Sequence, residues 1–457
     1  MKLHTKAIYY FSLYVLSISS GSGQIPFNIQ EFSTEDSIIS LSVGDPDTDG
    51  KDDIFITIKD HNDIYKLRNI GGNNFSIVNY LTVPEPQLIK ITTLNGGDDI
   101  AYTRKNSSGV HLLFGKDQWN TEKKVGPVVG KDTIKDIQAI ASIGSWYPTG
   151  SSPPLFFIQD MHGKIYCFGI LISSLNNFSL VPSGVFKFNT TLGNISVMHV
   201  SNQTMVFVPD IEHGLIKVIQ FGWGVPYQPD AGIEKLFDSE LVKPVYTITD
   251  IDKNKVKSMF ALDAGRSEVV KYTFLQNSVE FEKSVIPLDI ENAEQIHLGR
   301  IDSDGFQDLI ILENNRIWMI NNVAGPRAGF SAKTLLAEEE KDIRNLIIRD
   351  FDGDGISDIA YSLSGSNVIK ILKNEILSAV ADEYLKSGCK IIPNPGSGVF
   401  KVDNSDFRII KLSDVHGIDT GLRINSESID MSSFPAGKYF ITVKNGDIFK
   451  ILSLINL

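Results

Sequence analysis

One loop pattern constrains this chain more than any other feature. Asp350-Phe-Asp352-Gly-Asp354-Gly355-Ile-Ser-Asp358 sets carboxylates at loop positions 1, 3, 5 and 9, with glycine at position 6. Asp45, Asp47, Asp49, Gly50 and Asp53 repeat the pattern without a gap. Carboxylates this close repel one another by roughly 4 kcal/mol per pair at about 4 Å and an effective dielectric of about 20. A hard cation that takes oxygen ligands removes that cost, so both loops read as metal sites. An EF-hand would need a bidentate Glu at position 12 and helical flanks. Position 12 is Ile56 in one loop and Tyr361 in the other, and the flanks Ile54–Ile58 and Ile359–Leu363 read as strands. The loops therefore belong to a β architecture.

The strand after each loop recurs along the chain. Ile54–Ile58, Ile100–Thr103, Leu155–Gln159, Met205–Val208, Met259–Leu262, Leu309–Leu312 and Ile359–Leu363 start roughly fifty residues apart, a spacing that marks repeat folds. Each is followed, beyond a Gly, Asn, Asp or Ser turn, by a second apolar run, and each loop is preceded by another. A fourth, outer strand fits most units, as at Phe75–Val83 and Val279–Ile286. This pattern predicts an all-β chain built as a seven-bladed β-propeller. The seventh unit lacks a strand after Asn374, while Phe27-Asn-Ile-Gln-Glu-Phe32 stands unassigned before the first. That N-terminal strand is expected to complete the last blade, because an open ring would leave sheet edges exposed at its seam.

The carboxylates are not kept in every copy. In Arg300-Ile-Asp302-Ser-Asp304-Gly305-Phe-Gln-Asp308 a guanidinium stands at position 1. Arg300 is expected to replace the metal by pairing with its own aspartates, the alternative being a weaker metal site at Asp302, Asp304 and Asp308. The fifth unit has Asp250, Asp252 and Asn254 but Lys255 for the glycine and Ser258 for the last aspartate; the other units keep less.

Asp-x-Asp-x-Asp-Gly-x-x-Asp followed by an aliphatic strand resembles the FG-GAP or VCBS-type repeat, a group related to the calcium-binding blades of integrin α-subunit propellers. The resemblance covers roughly residues 27–376 and implies a propeller domain over 24–376. It implies structural Ca2+ held by Asp45, Asp47, Asp49 and Asp53 and by Asp350, Asp352, Asp354 and Asp358, with main-chain oxygens of Lys51 and Ile356 assisting. It does not fix a function, since such repeats serve in adhesins, scaffolds and polysaccharide-cleaving enzymes.

The two ends of the chain carry addresses. Lys2 and Lys6 precede an apolar run, Ala7–Ile18, and Gly21, Ser22 and Gly23 follow, the layout of a signal peptide over residues 1–23. A run of about twelve residues is too short to span a bilayer, and no other stretch is long and apolar enough, so the mature chain is expected to have no transmembrane span. Residues 377–387 read as a linker. Beyond it, over 388–457, Pro- and Gly-rich turns separate short alternating strands that suffice for a small C-terminal β-sandwich. Pro393-Asn394-Pro395, Gly437-Lys-Tyr439 and Lys450 stand there in order, and the whole stretch resembles the type A C-terminal sorting domain of the type IX secretion system. Ile392 departs from the pattern, where an aromatic often precedes Pro-Asn-Pro. The resemblance implies the type IX machinery as a partner and a secreted or outer-surface destination by way of the periplasm.

A formal net charge of -12 argues against nucleic acid, whose phosphates are bound by clustered Lys and Arg. Cys167 and Cys389 are too few and too far apart for a disulfide scaffold. No His-Glu-x-x-His, Gly-x-Ser-x-Gly or phosphate-cradling loop is present. Cys167 lies in a strand-like run and reads as an inert buried thiol. His111, His162, His199, His213 and His297 recur in different blades, where they have the central channel as one outlook. Trp146 and Tyr147 fall in a connection between first and second strands, and Trp223 and Tyr227 in one between third and fourth, so all four share the face of the acidic loops. Such rings stack on sugars or anchor proteins, and they are the ligand-binding candidates. The expected function is an exported, calcium-stabilised binding or adhesion module for a polysaccharide or protein ligand. The alternatives are an extracellular carbohydrate-active enzyme of the lyase kind, or a structural part of a surface complex.

Overall fold

The second strand of each blade shows why the aliphatic runs are unbroken. Asp53–Ile58 is buried at every position, and Asp308–Glu313 and Asp358–Leu363 at all but the last. Strands covered on both faces have no solvent side to alternate with. The outermost strands behave oppositely: Phe281–Pro287 buries only Ile286. The computed structural model describes residues 27–456 except 72–73, 94–97, 106–108, 114–121, 126–133, 140–154, 161, 175–176, 201–202, 223–232, 252–256, 276–278, 303–305, 324–328, 375–390, 393–397, 403–406, 414–419, 421–426 and 446–447. The chain forms two compact units, Met1–Asn374 and Glu375–Leu457. Among the described residues all regular structure is β, and no helix is long and apolar enough to cross a membrane.

The first unit is a propeller of seven four-stranded antiparallel sheets. From the centre outward, blade 1 runs Ile38–Gly44, Asp53–Ile58, Asp63–Gly71 and Asn74–Thr82. Blade 2 runs Pro86–Thr93, Asp98–Arg104, Val110–Leu113 and Glu122–Val125; blade 3, Ile134–Ala139, Leu155–Asp160, Lys164–Ser174 and Asn177–Lys187. Blade 4 holds Ser196–Val200, Gln203–Asp210, Leu215–Gly222 and Ile233–Asp238; blade 5, Pro244–Ile251, Lys257–Asp263, Glu268–Phe274 and Phe281–Pro287. Blade 6 holds Ala293–Gly299, Asp308–Glu313, Arg316–Val323 and Gly329–Glu338. Blade 7 takes Ile343–Arg349, Asp358–Leu363 and Val368–Asn374 from its own stretch of chain and its outer strand, Phe27–Ser33, from the N-terminus.

That outer strand pairs antiparallel with Val368–Asn374, from Phe27 opposite Asn374 to Ser33 opposite Val368. The expected closure is thus made by hydrogen bonds between the two ends of the propeller sequence. The innermost strand of blade 7 in turn contacts that of blade 1. Between these blades Ile54, Ile56, Leu67 and Phe75 pack with Phe351, Ala360, Ile369 and Ile371, and Phe32 joins them. Each such fully buried side chain contributes roughly 1.5–3 kcal/mol, so the seam is held as firmly as the interior of a domain.

The second unit contains two three-stranded sheets, Ile391–Ile392 with Val399–Val402 and Ser428–Asp430, and Arg408–Ser413 with Gly437–Asn445 and Ile448–Asn456. One apolar cluster joins them: Ile391, Phe400 and Ile429 of the first sheet pack with Ile409, Ile441 and Leu454 of the second. Two sheets sharing one core make a small sandwich.

Candidate functional site

The acidic loops join the first and second strands of their blades, and their glycines explain the turn. Gly50 and Gly355, at position 6, take φ of +83° and +90°, where a side chain would be strained. In blade 7, Asp350 Oδ1 accepts from the Gly353 N–H at 2.7 Å and its Oδ2 from the Gly355 N–H at 2.8 Å. Asp354 Oδ1 accepts from the Ile356 N–H at 2.8 Å. Asp358, buried at the start of the second strand, clamps the loop: its Oδ2 accepts from the Phe351 N–H at 2.9 Å and its Oδ1 from the Asn374 N–H at 2.8 Å. Asp350, Asp352 and Asp358 each bring an oxygen within 4.8 Å of the others. A cavity of ≈ 10 Å³, about the room one water requires, is lined by Asp352, Asp358, Lys373 and Gln30 together with the apolar Phe75, Phe351 and Ile371. Burial pushes the Asp358 carboxyl up to about 7 against the two backbone N–H groups that favour its charge, and Asp352 and Asp354 add to the rise. Lys373 Nζ stands 3.2 Å from Asp352 Oδ2.

The loop of blade 1 has the same turn and a different neighbour. Asp45 Oδ1 and Oδ2 accept from the N–H groups of Asp49 at 3.0 Å and Gly50 at 2.8 Å, and Asp45, Asp47 and Asp49 bring their oxygens together. Position 2 is Pro46, which has no N–H to give Asp53. Lys66 takes that role, its Nζ donating to Asp53 Oδ2 at 2.8 Å and to Asp47 Oδ2 at 2.7 Å. The Lys66 side chain is 4% exposed and Asp53 is 0% exposed. Burial raises the Asp53 carboxyl above its ordinary range in spite of Lys66. At the more open Asp47, burial is outweighed by the Lys66 hydrogen bond and charge, and its carboxyl is held low. Arg68 Nη2 lies 3.8 Å from Asp49 Oδ2.

In blade 6, Asp308 repeats the clamp, accepting from the N–H groups of Ile301 at 3.0 Å and Asn322 at 3.0 Å. The expected pairing of Arg300 involves Asp304, which lies outside the described residues. Arg300 donates its backbone N–H to Ser357 Oγ at 3.1 Å, and Asn321 Nδ2 reaches Asp302 Oδ2 at 2.5 Å. A cross-strand amide thus reaches the loop that the guanidinium was expected to fill.

Ring closure places the three acidic loops side by side in blades 6, 7 and 1, and asparagines link them. Asn374 Nδ2 donates to Ile301 O of the blade 6 loop at 2.7 Å, and Asn69 Nδ2 donates to Phe351 O of the blade 7 loop at 2.6 Å. Each also gives its backbone N–H to its own blade's clamping aspartate, Asn69 to Asp53 Oδ1 at 2.7 Å. Sequence reading missed Asn69, Asn322 and Asn374; their signal is an Arg-Asn, Asn-Asn or Lys-Asn pair ending the third strand in the three blades with acidic loops.

The remaining expected residues are dispersed. Trp146, Tyr147, Trp223 and Tyr227 lie outside the described residues, as do Pro393, Asn394 and Pro395. Tyr439 is buried in the sandwich and donates from its hydroxyl to Pro435 O at 2.9 Å; Gly437 opens that strand opposite Asn456, and Lys450 stands opposite Val443. Of the histidines, only His199 and His297 sit on innermost strands; His111 is on a third strand, stacked on Tyr102 with ring centroids 5.2 Å apart, and His162 and His213 are in turns. Cys167 is buried, and burial pushes its thiol up, away from nucleophilic reactivity.

Acidic loops between the first and second strands of a closed seven-bladed ring make this a β-propeller, and residues 300–361 match the FG-GAP-like repeat family. The C-terminal unit specifies the chain further. Residues 390–455 match the secretion system C-terminal sorting domain, so this is a propeller protein delivered by type IX secretion to the cell surface or the medium. No curated protein matches the chain. Solved structures similar to it include BBS1N in complex with ARL6DN, at 11% identity and TM-score 0.49, covering 74% of this chain and 92% of that one. A catalytically inactive virginiamycin B lyase from Staphylococcus aureus with quinupristin is similar at 12% identity and TM-score 0.49, covering 76% and 99%. The WD40 domain of SCAP from fission yeast is similar at 9% identity and TM-score 0.43, covering 76% and 98%.

Proposed function

We propose that this exported propeller is a calcium-stabilised binding module, engaging a polysaccharide or protein ligand outside the cell through the face that carries its acidic loops. The observation that carries the reading is the blade 7 loop, where three carboxylate oxygens converge beside a small cavity in a chain that also bears a sorting domain. A set of hard oxygens suits calcium, and extracellular calcium modules work with dissociation constants of about 10⁻⁴–10⁻³ M. Asp350, Asp352, Asp354 and Asp358 would hold the ion, which when bound supplies charge compensation and ties the loop. Loops at one end of a rigid scaffold suit ligand contact, and Trp146, Tyr147, Trp223 and Tyr227 are the proposed contact residues. Export begins, on this reading, with removal of residues 1–23 as a signal peptide.

Two experiments test it. The purified exported chain is applied to an array of polysaccharides in calcium, with each spot assayed for cleavage products. Binding without cleavage, lost in Trp146→Ala and Trp223→Ala, is the expected result. Cleavage would replace it with a lyase-like enzyme, and absence of any ligand would leave a structural module. Separately, a chain ending at Ser387 is expected to accumulate in the periplasm, and its efficient surface display would contradict the delivery route.

A further inference from the structure

The register of the blades shows that Lys66 and Ile371 occupy the same place. Lys66 pairs across the second and third strands with Phe55, two residues after the clamping Asp53. Ile371 pairs with Ala360, two residues after the clamping Asp358, and in blade 6 Met319 pairs with Ile310, two residues after Asp308. Of these three side chains at one register position, two are apolar and one is a cation; blade 7 has its own lysine one strand position short of Asn374, Lys373, whose Nζ lies 3.2 Å from Asp352 Oδ2, whereas Lys66 bonds two of its loop's carboxylates. Where blade 7 has Ile371 it also has a cavity beside Asp352 and Asp358. Where blade 1 has Lys66, an ammonium group is bonded to the loop's third and ninth positions.

We propose that Lys66 is the resident cation of the blade 1 loop, so that this loop is complete without metal and the blade 7 loop alone of the two takes calcium from the medium. The proposal rests on the calcium reading of blade 7 given above. A calcium ion in blade 1 would need oxygens of Asp47 and Asp53 that Lys66 Nζ already holds at 2.7 and 2.8 Å. The ion and the ammonium would compete for the same lone pairs at a separation where like charges repel strongly. Lys66 has no easy exit. Its side chain is 4% exposed, with its Nζ 5.1 Å from the centre of the Tyr80 ring. Pro46 completes the arrangement, since a residue with an N–H there would satisfy Asp53 as Phe351 satisfies Asp358.

The test is calcium titration of the full exported chain by calorimetry, with terbium luminescence as a second signal. The expected result is one calcium per wild-type chain, abolished by Asp352→Asn, and two per chain in Lys66→Met. Two ions on the wild type, or no gain in Lys66→Met, would overturn the proposal. A wild type that binds none would remove the calcium reading of blade 7 by itself. Lys66→Met would still judge blade 1: one ion gained supports the proposal and none gained overturns it. Should Lys66→Met fail to fold, the reciprocal Ile371→Lys decides the matter. Loss of calcium binding with folding retained in chelator is expected, and undiminished calcium binding overturns the idea.

Discussion

Blade 1 and blade 7 meet at the seam of the ring, and their acidic loops make the same turn around the same glycine. They differ in what the third strand delivers. In blade 1 the carboxylates of Asp47 and Asp53 both close on one buried ammonium; in blade 7 Lys373 reaches Asp352 at 3.2 Å, and Asp352 and Asp358 border a cavity. A cation tethered to the chain cannot be removed by a chelator, whereas one taken from solvent stabilises only with the logarithm of its concentration over its dissociation constant. On this reading the medium controls one side of the seam and the chain itself controls the other. The lesson is that an acidic loop states a demand for positive charge, and the strand two connections away decides who supplies it.

Removing residues 27–33 is expected to have the largest effect. It strips the outer strand from blade 7 and the Gln30 wall from its cavity, and leaves Val368–Asn374 as an open edge beside the acidic loop. The cooperative thermal transition should be lost, with or without calcium; a normal melt would show that closure is dispensable. Asp53→Ala comes next. It takes one of two carboxylates from the buried Lys66 ammonium and leaves the Asn69 N–H unpaired, which together cost about 3 kcal/mol, and denaturant titrations should give equal losses in calcium and in chelator. Asp352→Ala should behave differently. At calcium near 100 times its dissociation constant it forfeits about 2.7 kcal/mol, and in chelator it changes little. If Asp352→Ala were equally costly in both buffers, the contrast between the blades would collapse.

A smaller effect concerns pH. The Asp358 carboxyl is raised to about 7 in the metal-free fold, chiefly by burial, so calcium must displace a proton from it. Calcium affinity should therefore be about tenfold weaker at pH 6 than at pH 8. In chelator the sign reverses. A carboxyl raised in the fold holds its proton more tightly than in the unfolded chain, so the stability it contributes is present at acid pH and is lost as pH rises from about 4 through about 7. Comparing the pH dependence of wild-type melting in calcium and in chelator separates the two slopes; parallel curves would argue against Asp358 as a ligand. The smallest change is expected from Asn69→Ala, which breaks the link to Phe351 O and should cost about 1 kcal/mol by chemical denaturation.

Much of the propeller was legible because its evidence is local. The strand after each loop lies at the expected second position in every blade, and the missing seventh outer strand had one unassigned segment to fill it, Phe27–Phe32. The carboxylates of both loops were equally plain. What escaped were contacts made across strands: Lys66 entering the blade 1 loop, Asn321 reaching Asp302, and the asparagines that fasten each loop to the next.

The division follows the range of the interactions. Backbone conformation and hydrophobic alternation act over a few residues, so an all-β repeat chain with two loops shaped for a cation, and an export signal at its end, could be read from the order of amino acids. Whether a charged side chain reaches a given carboxylate depends on cross-strand register and on which blades become neighbours when the ring closes. Loops beginning at Asp45 and Asp350 lie at opposite ends of the propeller sequence and side by side in the fold. Lys66 faces one and Ile371 the other, and only the folded ring distinguishes a loop that carries its own cation from one that has room for another.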